Sequence, residues 1–177
     1  SNKDLIDEYL SEIKWSSPKE QYDRIGQAVN RLKEIFSHFS FLENDNSFDD
    51  LYISLINYDS FTSEVNFYAL GVQIYEKGLL KGDSRYFEAA VPIYAICISL
   101  NYNYHQAYNR LGDCLIRIER YDRALYMYRT SIYYIENSNN IGYIPIDNYI
   151  GDNYFKISLC FDRLNQDKHK KLIFFEE

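Results

Sequence analysis

The sequence predicts an all-α fold: N-terminal helices followed by about three stacked helical hairpins. Three observations carry this. Gly and Pro are scarce, 7 and 3 in 177 residues, so little in the chain breaks a helix. Apolar residues recur three and four apart over long stretches, the period of one helix face. From about residue 62 the chain also repeats itself, with Ala90 and Ala124, and likewise Tyr94 and Tyr128, 34 residues apart.

The first element is a short amphipathic helix carrying Leu5, Ile6, Tyr9, Leu10 and Ile13 on one side. Ser17-Pro18-Lys19-Glu20 then reads as a helix start, with Ser as N-cap, Pro in the first turn and Glu closing a capping box. Behind it, Tyr22, Ile25, Val29, Leu32, Phe36 and Phe39 form a single apolar stripe. Such a stripe either docks on the rest of the chain or offers a homodimer seam, and docking is the plainer expectation. Residues 43–50 (ENDNSFDD) have alternating acids but lack the Gly and the closing Glu of a calcium loop. Ser47 with Asp50 reads as a capping box opening a helix through Leu51, Leu55 and Ile56. We divide the chain into a helical segment, 1–61, and a repeat region, 62–177, with units near 63–103, 105–136 and 151–175.

The repeats are visible residue by residue. Phe67-x-x-Leu70-Gly71-x-x-Ile74 matches Tyr108-x-x-Leu111-Gly112-x-x-Leu115, and Tyr154-x-x-Ile157-Ser158-x-x-Phe161 is a weaker third copy. Segments 86–103 and 121–136 each open with Tyr, reach a small Ala, and place an aromatic residue four positions on. Large residues at this spacing build an inner face, and Gly lets two helices approach closely. A lone hairpin leaves its apolar side uncovered, so neighbours stack. Residues 78–84 insert seven positions between the helices of the first copy. Residues 137–153 add about twelve more before the third, among them Ile141, Tyr143, Ile144 and Ile146, which suit an apolar edge. The last helix, 167–177, is short and reads as a cap or a truncated one.

On these motifs the region 63–175 resembles the tetratricopeptide (TPR) family, the copy at 105–136 most closely. The resemblance implies an α-solenoid whose first helices line a concave groove. It places Val65, Tyr68, Val72, Tyr75 and Glu76 on that groove from the first copy. From the second come Gln106, Asn109, Asp113, Ile116 and Arg117, and from the third Asp152, Phe155, Leu159, Asp162 and Arg163. Their 3.6-residue spacing independently puts each set on one face. Of these, Tyr68, Val72, Tyr75 and Ile116 are expected to accept apolar anchors, and Asn109 and Arg117 to hydrogen-bond the ligand. Tyr68 and Val72 occupy positions where chaperone-cofactor members carry the Lys and Asn of a carboxylate clamp, which argues against that branch. A weaker resemblance, through Phe67-Tyr68-x-Leu70, Ile96-Cys97-x-x-Leu100-Asn101 and Leu159-Cys160, is to the small TPR chaperones of type III secretion translocators. That branch implies a groove holding an extended apolar segment.

Composition narrows the function classes. A net charge of −7 and a pI near 5.0 disfavour nucleic acid and anionic membranes as partners. At a mean hydropathy of −0.43, no run approaches the roughly 20 apolar residues of a membrane span. Three Cys (97, 114 and 160) with no signal segment read as buried, reduced thiols in a cytoplasmic protein. Three His (38, 105 and 169) lack metal-ligand spacing, and no catalytic or phosphate-binding motif occurs. The sequence therefore predicts a non-enzyme without metal or cofactor, whose partner is a protein or extended peptide. The alternative is a scaffold or regulatory sensor fragment acting through self-association or its convex face. The 19 Tyr fit either a Tyr-lined surface or a compositional bias shared with Ile and Asn.

Overall fold

The computed structural model describes the backbone of residues 2–15, 21–137 and 146–176, and the side chains of 2–11, 24–137 and 151–172. Within these residues the chain is helical without strands: α1 (Asn2–Trp15), α2 (Gln21–His38), α3 (Asp49–Ile56), α4 (Glu64–Lys81), α5 (Ser84–Leu100), α6 (His105–Arg117), α7 (Tyr121–Glu136) and α8 (Ile146–Glu176). From α4 onward each helix packs on the next. The links between α4 and α5, α5 and α6, and α6 and α7 are short, which returns each helix against its predecessor.

Helix α5 is the spine. Every residue from Ala89 to Ile98 is buried, because α5 is apolar all round and is covered by α4, α6, α1 and α2. The N-terminal helices dock here. Ile6, Tyr9 and Leu10 of α1, and Val29, Leu32, Ile35 and Phe36 of α2, are buried. Asn2 Nδ2 donates to Glu88 Oε2 at 2.8 Å, and Asp7 pairs with Arg120 in the α6–α7 turn. From Val29 to Phe39 the stripe offered as a dimer seam is thus covered within the chain, and the Tyr22 side chain lies outside the described residues.

The glycines of the repeat do what the pattern implied. A Cβ at Gly71 would lie 2.8 Å from the Tyr94 ring, and one at Gly112 would lie 2.6 Å from the Tyr128 ring. The same tyrosine-over-glycine contact therefore joins α4 to α5 and α6 to α7.

Several local expectations change. The N-cap of α3 is Phe48, which makes no side-chain cap bond, rather than Ser47; a 3₁₀ turn (Asn46–Phe48) precedes the helix, and Asp45 caps that turn by accepting from the Ser47 N–H at 3.1 Å. Residues 78–84 do not form a loop. Most of them extend α4, which ends at left-handed Gly82 (φ 61°), while Asp83 caps α5. The third unit is one continuous helix rather than a hairpin, and no separate cap begins at 167. Between Ile146 and Glu176 there is no Pro and only Gly151 to interrupt it. The Ser17-Pro18 start and Ile141, Tyr143 and Ile144 lie outside the described residues.

Candidate functional site: a polar cleft across three helices

Tyr68 of α4, Gln106, Asn109, Arg110 and Asp113 of α6, and Asp152 and Lys156 of α8 line an open cleft of about 240 Å³. Its α8 side is built around Lys156. The ammonium donates to Asp113 Oδ1 at 2.8 Å, Asp152 Oδ2 at 2.8 Å and Asn109 Oδ1 at 3.1 Å. Tyr128, reaching past Gly112, donates its hydroxyl to the same Asp113 oxygen at 2.7 Å. Asn109 Nδ2 donates to Asn153 Oδ1 at 2.9 Å, and the Ser131 hydroxyl to the His105 carbonyl at 3.0 Å. Burial disfavours the Lys156 ammonium, but Asp113 and Asp152 outweigh it and raise its pKa. The lysine stays charged and holds two carboxylates in place.

The α4 side has a different character. Arg110, half-buried, lies against Tyr68, with its guanidinium 5.9 Å from the Tyr75 ring centroid. Tyr68 is half-buried between Tyr94 (5.8 Å between centroids) and Tyr104 (5.1 Å). Beneath it, the Tyr94 hydroxyl is buried with no hydrogen-bond partner among the described residues, and burial pushes its pKa well up. Donors and acceptors of both signs thus face one concavity, which suits recognition of a polar chain by hydrogen bonds and charge.

Of the expected groove residues, the structure brings Tyr68, Asn109 and Asp113 together, along with Gln106 and Asp152. Val72 is half-buried next to Gly71. Tyr75 is only 7% exposed and packs on Phe87 at 5.2 Å, so it belongs to the core rather than to an anchor pocket. Ile116 packs against that core, and Arg117 covers the Phe87 ring at 5.7 Å. Val65, Phe155, Leu159 and Arg163 do not line the cleft. Val65 and Phe155 are 54% and 69% exposed, and Arg163 is exposed as well. The reason on α8 is rotational: among its described side chains Asn153, Ile157 and Cys160 are the buried ones, which turns Asp152 and Lys156 to the cleft and Phe155 away. Asp113 takes Lys156 and Tyr128 as its partners.

Sequence reasoning missed Arg110 and Lys156. A signal existed, since each stands two positions before the small residue of its motif, Gly112 or Ser158.

The three thiols are free and buried. Burial raises the pKa of Cys97 and Cys114 far up and that of Cys160 to about 11, so all are neutral thiols at neutral pH. Among the described residues, no three His, Cys, Asp or Glu gather as a metal site, and no helix is long and apolar enough to cross a membrane. No family model, curated protein or solved structure matches this chain.

Proposed function

We propose that the chain is a non-enzymatic protein-interaction module of TPR-like stacked hairpins that holds an extended segment of a partner in the cleft between α4, α6 and α8. The observation that carries this reading is the cleft itself. The alternate helices of the stack each contribute to it, and its polar groups are prepositioned by the Lys156 network. Prepositioned groups lower the ordering cost of binding. Mixed donors and acceptors suit a peptide backbone, and Tyr68 offers aromatic area at low entropic cost. The polar lining favours a partner segment held by its main chain and polar side chains over one held by apolar anchors alone. A secretion-type chaperone is one way such a module would be used.

A second reading, self-association or convex-face binding, draws on exposed aromatics: Tyr126 and Tyr133 on α7, and Tyr154 and Phe161 on α8. One experiment separates the two. A photo-crosslinking amino acid is placed at Gln106 in the cleft or at Tyr126 on α7, and adducts formed in native lysate are mapped by mass spectrometry. Adducts at Gln106 mapping to one contiguous stretch of one partner, and competed by that stretch as a synthetic peptide, support the cleft. Adducts only at Tyr126, or only to a second copy of this chain, refute it.

A further inference from the structure

The two junctions between successive repeats are built from the same three positions, but only one of them is complete. At the second junction, Asp113 follows Gly112, Tyr128 lies over that glycine, and Lys156 stands two residues before Ser158. Asp113 Oδ1 accepts from Tyr128 at 2.7 Å and from Lys156 at 2.8 Å. At the first junction the corresponding residues are Val72, which follows Gly71, Tyr94, which lies over that glycine, and Arg110, two residues before Gly112. The hydroxyl and the cation are kept, and the carboxylate is replaced by Val72. The Tyr94 hydroxyl is left buried without a hydrogen-bond partner among the described residues. Arg110 and Tyr68 lie close enough to perturb Tyr94 electrostatically, and both line the cleft.

We infer that this junction is a subsite for a carboxylate side chain of the bound segment, an internal Asp or Glu that accepts from Tyr94 and pairs with Arg110. The inference rests on the proposed cleft function and names the residue class it selects. A guanidinium and a hydroxyl around one carboxylate reproduce the charge-assisted pairing seen at Asp113. Asp113 and Asp152, the carboxylates that line the cleft, are both paired with Lys156, and Asp113 also accepts from Tyr128. Tyr68, half-buried at the cleft and edge-on to Tyr94, is the ring that turns aside to admit the guest.

The test uses the full chain and a library of N-acetylated, C-amidated peptides with Glu, Gln or Lys at a fixed centre and random flanks, alongside Gln-centred peptides with a free C-terminus. Glu-centred peptides are expected to bind about tenfold tighter than Gln-centred ones, the effect of one charge-assisted contact. That preference disappears in Arg110→Gln and in Val72→Asp, both checked for helicity. Without any ligand, Val72→Asp supplies the carboxylate from within, so its melting temperature is about 4 °C above that of Val72→Asn.

Equal binding of Glu- and Gln-centred peptides, or a preference only for the free C-terminus, overturns the subsite while leaving the cleft function standing. Absence of binding by every peptide overturns the cleft function. Equal melting of the two Val72 variants overturns the subsite independently of any peptide.

Discussion

The pseudo-equivalence of Tyr94 and Tyr128 predicts opposite responses to the same perturbation, loss of one hydroxyl. Both rings are fully buried and both press on a glycine, so Tyr→Phe leaves ring packing unchanged at each site. In Tyr128→Phe, a hydrogen bond to a carboxylate is lost. Such bonds contribute about 1.5–3 kcal/mol, and the low end applies because Lys156 still donates to the same Asp113 oxygen at 2.8 Å. We expect a loss of about 1.5 kcal/mol, or roughly 3–6 °C in melting temperature for a chain of this length. In Tyr94→Phe, a buried donor without a partner is removed. Leaving such a group unsatisfied costs about 1–3 kcal/mol. Returning the low end of that cost stabilises the free protein by about 1 kcal/mol, or 2–4 °C. The assay is equilibrium urea unfolding followed by far-UV circular dichroism, with thermal melts alongside. Destabilisation of both variants to a similar extent would refute the reasoning, because it would mean that the Tyr94 hydroxyl is already satisfied. In the Val72→Asp background, Tyr94→Phe should change sign and become destabilising.

Three further outcomes follow from the packing and the charges. Gly112→Ala gains about 1 kcal/mol of helix propensity but places a Cβ 2.6 Å from the Tyr128 ring. The ring is boxed in, so overpacking of about 2–3 kcal/mol wins, and chemical unfolding should show a net loss; a stabilised variant would show that the ring yields. Lys156→Met leaves Asp113 and Asp152 facing each other and should cost about 2 kcal/mol, below the cost for a fully buried pair because the cleft is open. The folded pKa of Lys156 is raised above 10.5, so its contribution is complete below that pH and fades as the pH rises through the folded value. The wild-type and Lys156→Met stability curves should therefore converge from pH 10.5 upward. Burial lowers the pKa of His105 below 6.5, so the folded state prefers it neutral. Its contribution is complete above pH 6.5 and is lost as the pH falls through the folded value. His105→Gln should flatten that part of the pH–stability curve measured by urea unfolding.

What the sequence made legible was the part governed by spacing along a single helix. The stripe from Val29 to Phe39, the Leu-Gly face of α4 and α6, and the burial of all three cysteines follow from period and residue size. The cleft was legible on α6 apart from Arg110, because a full motif sets the helix rotation there, but on α8 only at Asp152. There, Asn153 is buried and bonds Asn109, so a polar residue holds a core position that an apolar pattern does not reveal. That shift turned Lys156 inward and Phe155 outward. Tyr75 was misplaced for a related reason: α4, at 18 residues, is five longer than its 13-residue counterpart α6, and Tyr75 packs on Phe87. The docking site of α1 and α2 was readable in principle, since the unbroken run from Ala89 to Ile98 is apolar on faces that one hairpin partner cannot cover.

The two copies differ where the proposed binding specificity resides. The glycine and the tyrosine over it recur because packing requires them. The position after the glycine differs between the copies: it is Asp113 in α6, where it lines the cleft, and half-buried Val72 in α4. A junction that satisfies itself internally, as at Asp113, ties α8 to α6 and rigidifies one end of the cleft. A junction that keeps its donors and omits the acceptor, as at Val72, leaves the Tyr94 hydroxyl without a partner among the described residues. On the proposed reading, stability is concentrated at one end of the cleft and recognition at the other, and exchanging Val72 and Asp113 should exchange those roles.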